Sequence, residues 1–216
     1  LLILKELKSN KFNSKIIKVD INKIDKFLKK IKNTYFLTET NKENLSFVLE
    51  ISKKFKFKNK QFIKTIQNFK GLKYRQQIIF KKDNLTIIND SKSTSFSSSI
   101  GVLKANPNIY WLLGGIPKKG DKFNLSKKYF SKINAFIYGK NKNFFIKRLN
   151  GKIKYKNFDN LKEALKKIFK IIKKQKRIQQ TILFSPSAAS FDSFKNFEDR
   201  GLYFNKLVKK FLYAKK

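Results

Sequence analysis

From Asn44 onward the apolar residues fall at helical spacing. Leu45, Val48, Leu49 and Ser52 share one helical face, and Phe62, Ile63, Ile66 and Phe69 repeat the pattern ahead of Gly71, a residue suited to a helix C-terminus. Upstream, Lys15–Val19 and Asn33–Thr38 read as strands or strand ends, with Asp25–Ile31 as a short helix between them. Beyond Gly71 the pattern changes. Gln77–Phe80 and Leu85–Asn89 flank a polar turn at Lys81–Asn84, the arrangement of a hairpin. Ile109–Leu113, Ala135–Tyr138 and Thr181–Phe184 are short apolar runs, as strands buried on both faces require.

Helical patterns alternate with these runs. Ser97–Leu103 is one. Leu161, Ala164, Leu165, Ile168, Phe169 and Ile172 form an apolar stripe behind Asp159 as candidate N-cap. A closing helix starts at Asn196, with Asp199 three residues on, and turns Phe204, Leu207, Val208, Phe211 and Leu212 inward. This alternation predicts an α/β fold, a mostly parallel sheet flanked by helices, with a domain boundary near Lys70–Leu72. Ligands of such sheets gather beyond the C-terminal strand ends, which singles out the loops after Asn89, Leu113 and Phe184.

Charge alters this picture less than its size suggests. The chain carries 52 Lys and Arg against 14 Asp and Glu, a formal net charge of +38. Nucleic acid or an anionic surface is one reading of that excess. However, the arginines are only Arg75, Arg148, Arg177 and Arg200, and Arg is the residue whose planar fork reads base edges. Lys is spread over nearly every segment beside abundant Asn, Ile and Phe, a compositional drift that fills solvent positions with Lys. With no Cys there are no disulfides or thiolate metal sites, and with no His the usual general base and zinc ligand are missing. No apolar run approaches the roughly 20 residues of a membrane span. The first residues, Leu1–Lys5, lack Met and the marks of a signal peptide, and read as the interior of a longer protein.

The three loops carry the candidate chemistry. Asn89-Asp-Ser-Lys-Ser-Thr-Ser95 offers a carboxylate, an ammonium and hydroxyls. In an extended segment Asp90, Lys92 and Thr94 would share a side. It has no glycines, so it is not a Walker loop, and no such loop occurs in the chain. Gly114-Gly-Ile-Pro-Lys-Lys-Gly120 combines a sharp turn with Lys118 and Lys119 as candidate anion partners. Phe184-Ser-Pro-Ser-Ala-Ala-Ser190 permits close backbone approach and supplies hydroxyls.

The order Gly71-Leu-Lys-Tyr-Arg75, Ile88-Asn-Asp-Ser-Lys-Ser-Thr94, Leu112-Leu-Gly-Gly115 with Lys118, and Ser185-Pro through Arg200-Gly201 resembles the D-glutamate-adding branch of the Mur ligase family over about residues 40–212. The resemblance implies that residues 1–70 are the tail of a central ATP-binding domain. Residues 71–216 would then be a Rossmann-like C-terminal domain. It implies ATP-dependent amide formation in bacterial peptidoglycan synthesis, in the cytoplasm, with D-glutamate, UDP-N-acetylmuramoyl-L-alanine and ATP as partners. A monomer is favoured, without nucleic acid or membrane. By the same resemblance Asn41 and Asn44 lie near the adenine, Arg75 and Lys92 on the catalytic, phosphate side of ATP, and Asp90 on the ribose. Thr94, Lys118, Ser190, Phe191 and Phe197 would hold D-glutamate. The family's phosphate loop, its magnesium ligands and its modified lysine are expected upstream, so no metal ligand is assigned here. Tyr74, Thr40 and Ser95 depart from the family pattern, and the Asp-Asn-Pro-Arg motif of the diaminopimelate-adding relatives is missing. The alternatives are a Lys-rich nucleic-acid-binding module or another amino-acid ligase of the superfamily.

Overall fold

The computed structural model describes residues 19–20, 23–29, 31–174 and 178–213. Lys15–Lys18 of the first expected strand, and Arg177, lie outside them. The chain forms two compact units, Leu1–Asn68 and Phe69–Lys216.

The first unit contains α1 (Lys23–Leu28), a 3-10 turn (Thr34–Leu37), α2 (Glu39–Lys54) and α3 (Asn59–Asn68). Asn33–Thr38 is therefore not a strand. Asn33 caps the 3-10 turn, accepting from the Tyr35 amide at 3.0 Å, and donates to the Ile66 carbonyl at 2.8 Å. Its side-chain hydrogen bonds favour a turn over a ladder. Leu45 and Ser52 are buried on α2, but Val48 on the same stripe is 45% exposed. Gly71 does adopt a left-handed conformation, φ 80°, yet lies beyond the end of α3 rather than at its cap.

The second unit is a six-stranded sheet in the order β1-β2-β6-β3-β4-β5. Its elements are β1 (Gln77–Lys82), β2 (Leu85–Asn89), α4 (Phe96–Ala105), β3 (Ile109–Leu113), β4 (Ile133–Tyr138), α5 (Lys142–Leu149), β5 (Lys154–Phe158), α6 (Leu161–Ile172), β6 (Gln180–Phe184) and α7 (Phe197–Tyr213). Only the β1–β2 hairpin is antiparallel; β2, β6, β3, β4 and β5 run parallel. The α/β reading of the sequence holds.

The period of two along each strand divides the core between the sheet faces. Trp111, Leu113, Ala135, Ile137 and Leu183 pack with Phe96, Val102 and Leu103 of α4 and Phe145 and Leu149 of α5. Tyr110, Leu112, Phe136, Ile182 and Phe184 pack with Leu165 and Ile168 of α6 and Phe204 and Val208 of α7. The N-cap of α6 is Asn160 rather than Asp159: its side chain accepts from the Glu163 amide at 3.0 Å. Asn196 does cap α7, accepting from Asp199 N at 2.7 Å. β5 and α5 were not visible in the pattern. Lys154-Tyr-Lys-Asn-Phe158 is an edge strand whose lysines face solvent, so it lacks the apolar run of its neighbours.

Candidate functional site

β2, β6 and β3 are adjacent and parallel, so the three loops singled out by the sequence leave the sheet side by side. Hydrogen bonds then tie the loops together. Asp90 N donates to Phe184 O at 2.7 Å, extending the β2–β6 ladder by one residue. Gly114 N donates to Pro186 O at 3.1 Å, and Ile116 and Ala189 exchange two backbone bonds of 2.9 Å each. This bridge brings Lys118 and Ser190, each within two residues of it, onto neighbouring strands of chain. Gly114 and Gly115 have φ of 155° and 128°, and a Cβ would strike the Tyr138 carbonyl oxygen at the first and the Ala189 carbonyl oxygen at the second. Only glycine permits this approach. Asn141 holds the loop from its other side, donating to Gly115 O at 3.1 Å.

Arg200 of α7 braces the cluster from within. It is 1% exposed. Nη2 donates to the carbonyls of Ser91 (2.7 Å) and Ala188 (3.0 Å), and Nε to Ser91 Oγ at 3.1 Å. Ser91 Oγ in turn donates to Phe197 O at 2.8 Å, and Asn89 Nδ2 donates to Gly201 O at 2.9 Å. One buried cation thus fixes the main chain after β2 to the main chain after β6. Burial lowers the Arg200 pKa, and Tyr138, Asp192 and Asp90 oppose that shift.

Asp90 is also buried. Oδ1 accepts from Gln76 N at 3.1 Å and Oδ2 from Ser185 Oγ at 2.7 Å. Desolvation pushes its pKa up to about 7, against the lowering effects of Ser185, Gln76, Arg75 and Arg200. The expected shared side of Asp90, Lys92 and Thr94 does not form. Ser93 N donates to Asp90 O at 2.9 Å, a turn that ends the alternation and leaves Asp90 buried and Thr94 exposed. Lys92 is half-buried, its ammonium 4.0 Å from the centroid of the Phe197 ring, a cation–π contact. Arg75 and Lys118 are exposed, Ser190 is 3% exposed, and Phe191 is 71% exposed. Asn41 is buried in the first unit, where its side chain donates to Tyr35 O at 2.7 Å; Asn44 is exposed there.

Arg200 stands in the closing motif of the sequence with no role assigned to it there, and neither Ser185 nor Asn89 stands out from its loop. For Arg200 the sequence signal is scarcity, as one of few arginines in a Lys-rich chain. Among the described residues no group of three or more Asp, Glu, His or Cys is placed to hold a metal ion.

A mostly parallel sheet flanked by helices, with three loops leaving adjacent strands side by side, places the protein in the α/β class. No family model matches the chain. It is 38% identical over 171 residues to the UDP-N-acetylmuramoylalanine–D-glutamate ligase of Rickettsia felis, covering 79% of this chain and 38% of that protein. The ligase of the same name from Francisella tularensis subsp. novicida is 36% identical over 183 residues, 82% of this chain and 43% of that protein. The chain is thus homologous to D-glutamate-adding Mur ligases over about four fifths of its length, and spans well under half the length of these relatives. Its fold is also that of UDP-N-acetylmuramate-alanine ligase MurC from Thermotoga maritima, at a TM-score of 0.56 and 15% identity over 82% of this chain and 39% of that one.

Proposed function

We propose that this chain is the amino-acid-binding part of an ATP-driven amide-forming ligase of peptidoglycan synthesis, joining D-glutamate to UDP-N-acetylmuramoyl-L-alanine. The observation that carries the reading is the bridge between Ile116 and Ala189, which pairs the loop of Lys118 with the loop of Ser190. D-Glutamate brings two carboxylates and one amine. Lys118 supplies a cation to a carboxylate, Thr94 and Ser190 supply neutral hydroxyl donors, and a backbone N–H near Phe191 adds another. Phe197, with Lys92 stacked on it, walls the aliphatic part of the substrate.

On the nucleotide side Asp90 accepts from ribose hydroxyls while Arg75 and Lys92 neutralise phosphate charge. A carboxylate oxygen of the alanyl group on the nucleotide sugar bonds to the γ-phosphorus of ATP, the bond from that phosphorus to the β,γ-bridging oxygen breaks, and ADP leaves. The D-glutamate amine then attacks that acyl carbon, the carbon–oxygen bond to phosphate breaks, and the amine releases its proton. Positioning and charge neutralisation do most of the work in such transfers. The reading places the protein in the bacterial cytoplasm as a monomer that needs neither nucleic acid nor membrane. No helix among the described residues is long and apolar enough to cross a membrane.

The test is Lys118→Ala in a ligase that contains this chain. KM for D-glutamate should rise about tenfold or more, the scale of a lost charge-assisted hydrogen bond, while KM for ATP stays the same. An unchanged KM for D-glutamate would remove Lys118 from the site.

A further inference from the structure

We propose that Ser99 is a positioning residue, the node of a five-serine hydroxyl chain that links the Asp90 carboxylate to the loop before Ser190 and to the first turn of α4 beside Thr94. Its functional meaning rests on the amino-acid site proposed above; its geometry does not.

Ser185 Oγ lies 2.7 Å from Asp90 Oδ2 and 2.7 Å from Ser99 Oγ. Ser99 Oγ also meets Ser187 Oγ at 2.7 Å and Ser93 Oγ at 2.8 Å, and Ser93 Oγ meets Ser98 Oγ at 2.9 Å. Ser93, Ser99, Ser185 and Ser187 are all buried, whereas Ser98 is exposed at the start of α4. Serines near a helix start ordinarily bond to main chain. Ser93, Ser99, Ser185 and Ser187 bond chiefly to one another and to Asp90, across three separate segments, and Ser98 joins them through Ser93 while also forming the capping box with Ser95.

Each hydroxyl has one proton, and counting protons fixes the direction of the chain. An ionised Asp90 can only accept, so Ser185 donates to it. Ser185 must then accept from Ser99. Having spent its proton, Ser99 must accept from both Ser93 and Ser187, and Ser93 must accept from Ser98. All five protons point towards the carboxylate. When Asp90 is protonated on Oδ2 the sense reverses. Its proton goes to Ser185, which donates to Ser99, and the chain can run out through Ser93 to Ser98. Ser98 is then free to donate to the Ser95 carbonyl, 2.7 Å away. The charge of Asp90 is thereby transmitted to the amino-acid site along one branch at a time, since Ser99 has a single proton to give to Ser93 or to Ser187, and every route to Ser98 passes through Ser99. Such chains strengthen cooperatively in a buried setting. The charges acting on Asp90 are the guanidiniums of Arg75 and Arg200.

The experiment is a pH titration of the 216-residue chain from about pH 5 to 9 by NMR, following the Asp90 carboxyl carbon and the Cβ and amide signals of Ser98 and Ser187. In the wild type both serines should shift with the midpoint of Asp90, and Asp90→Asn should abolish the shift. Ser99→Ala should leave Asp90 titrating while Ser98 stops following it. Ser99→Thr, which keeps the hydroxyl, should restore the response. If Ser99→Ala impairs folding, Ser93→Ala cuts only the branch to Ser98, and Ser187 should continue to follow. Serine signals that ignore Asp90 in the wild type, or that follow it undiminished in Ser99→Ala, would overturn the proposal. A wild-type chain that fails to bind D-glutamate would count against the ligase reading alone, because the titration needs no ligand.

Discussion

Asp90 is a carboxyl group held almost out of water, and its environment has a measurable consequence. Its pKa is raised from 3.8 to about 7 in the fold. Between those values the native protein keeps a proton that the unfolded chain releases. The stabilisation is therefore complete below about pH 4 and is lost as pH rises through about 7, at roughly 1.4 kcal/mol per pH unit within that window. Asp90→Asn should remove this slope. At pH 8 the variant should be more stable than the wild type by roughly 2 kcal/mol or more, and at pH 4 the two should be close. Denaturant titrations at the two pH values check this. Some slope should persist, since burial raises the Asp192 pKa too. At this scale the sequence offers three loops, with Asp90, Lys92, Lys118 and Ser190 among their candidates, and the structure sets those loops side by side. The sequence could not show the partners. Arg200 bonds to carbonyls 12 and 109 residues away, and main-chain acceptors leave no mark in side-chain patterns.

Secondary-structure elements meet at two close approaches. Gly115 allows the loop after β3 to reach the loop after β6, and Gly201 of α7 allows the ring of Tyr74 to lie against the helix. Gly115→Ala should strain the backbone and break the Ile116–Ala189 bridge, lowering stability by about 1–3 kcal/mol and weakening amino-acid binding. Thermal denaturation and a binding titration measure the two effects. Arg200→Lys keeps the charge but cannot serve three acceptors in two directions. It should cost about 2–4 kcal/mol, because buried carbonyls lose their donors. The buried strands were legible because runs such as Ile109–Leu113 are apolar at every position. β5 was not, because an edge strand with one wet face tolerates lysine at alternate sites. The 3-10 turn after Asn33 was missed for a different reason: the side-chain bonds of a single Asn outweighed the strand propensity of Thr, Tyr and Phe.

The whole molecule combines a net charge of +38 with a sequence that contains no Gly-rich Lys-Ser/Thr phosphate loop. Such a surface attracts anions of many kinds, and that attraction should fall steeply with salt. A built amino-acid site behaves differently, since it distinguishes enantiomers at any ionic strength. The 216-residue chain by itself should bind D-glutamate without hydrolysing ATP or forming an amide, and a phosphate-release assay checks the second half of that statement. The most direct measurement of the first half is an NMR titration of the chain with D- and L-glutamate at physiological salt. D-Glutamate should shift amide signals clustered at residues 91–95, 114–119 and 188–192, and L-glutamate should do so far more weakly. Equal responses to the two enantiomers, or shifts dispersed over the lysine-bearing surface, would contradict a single pocket formed by the three loops.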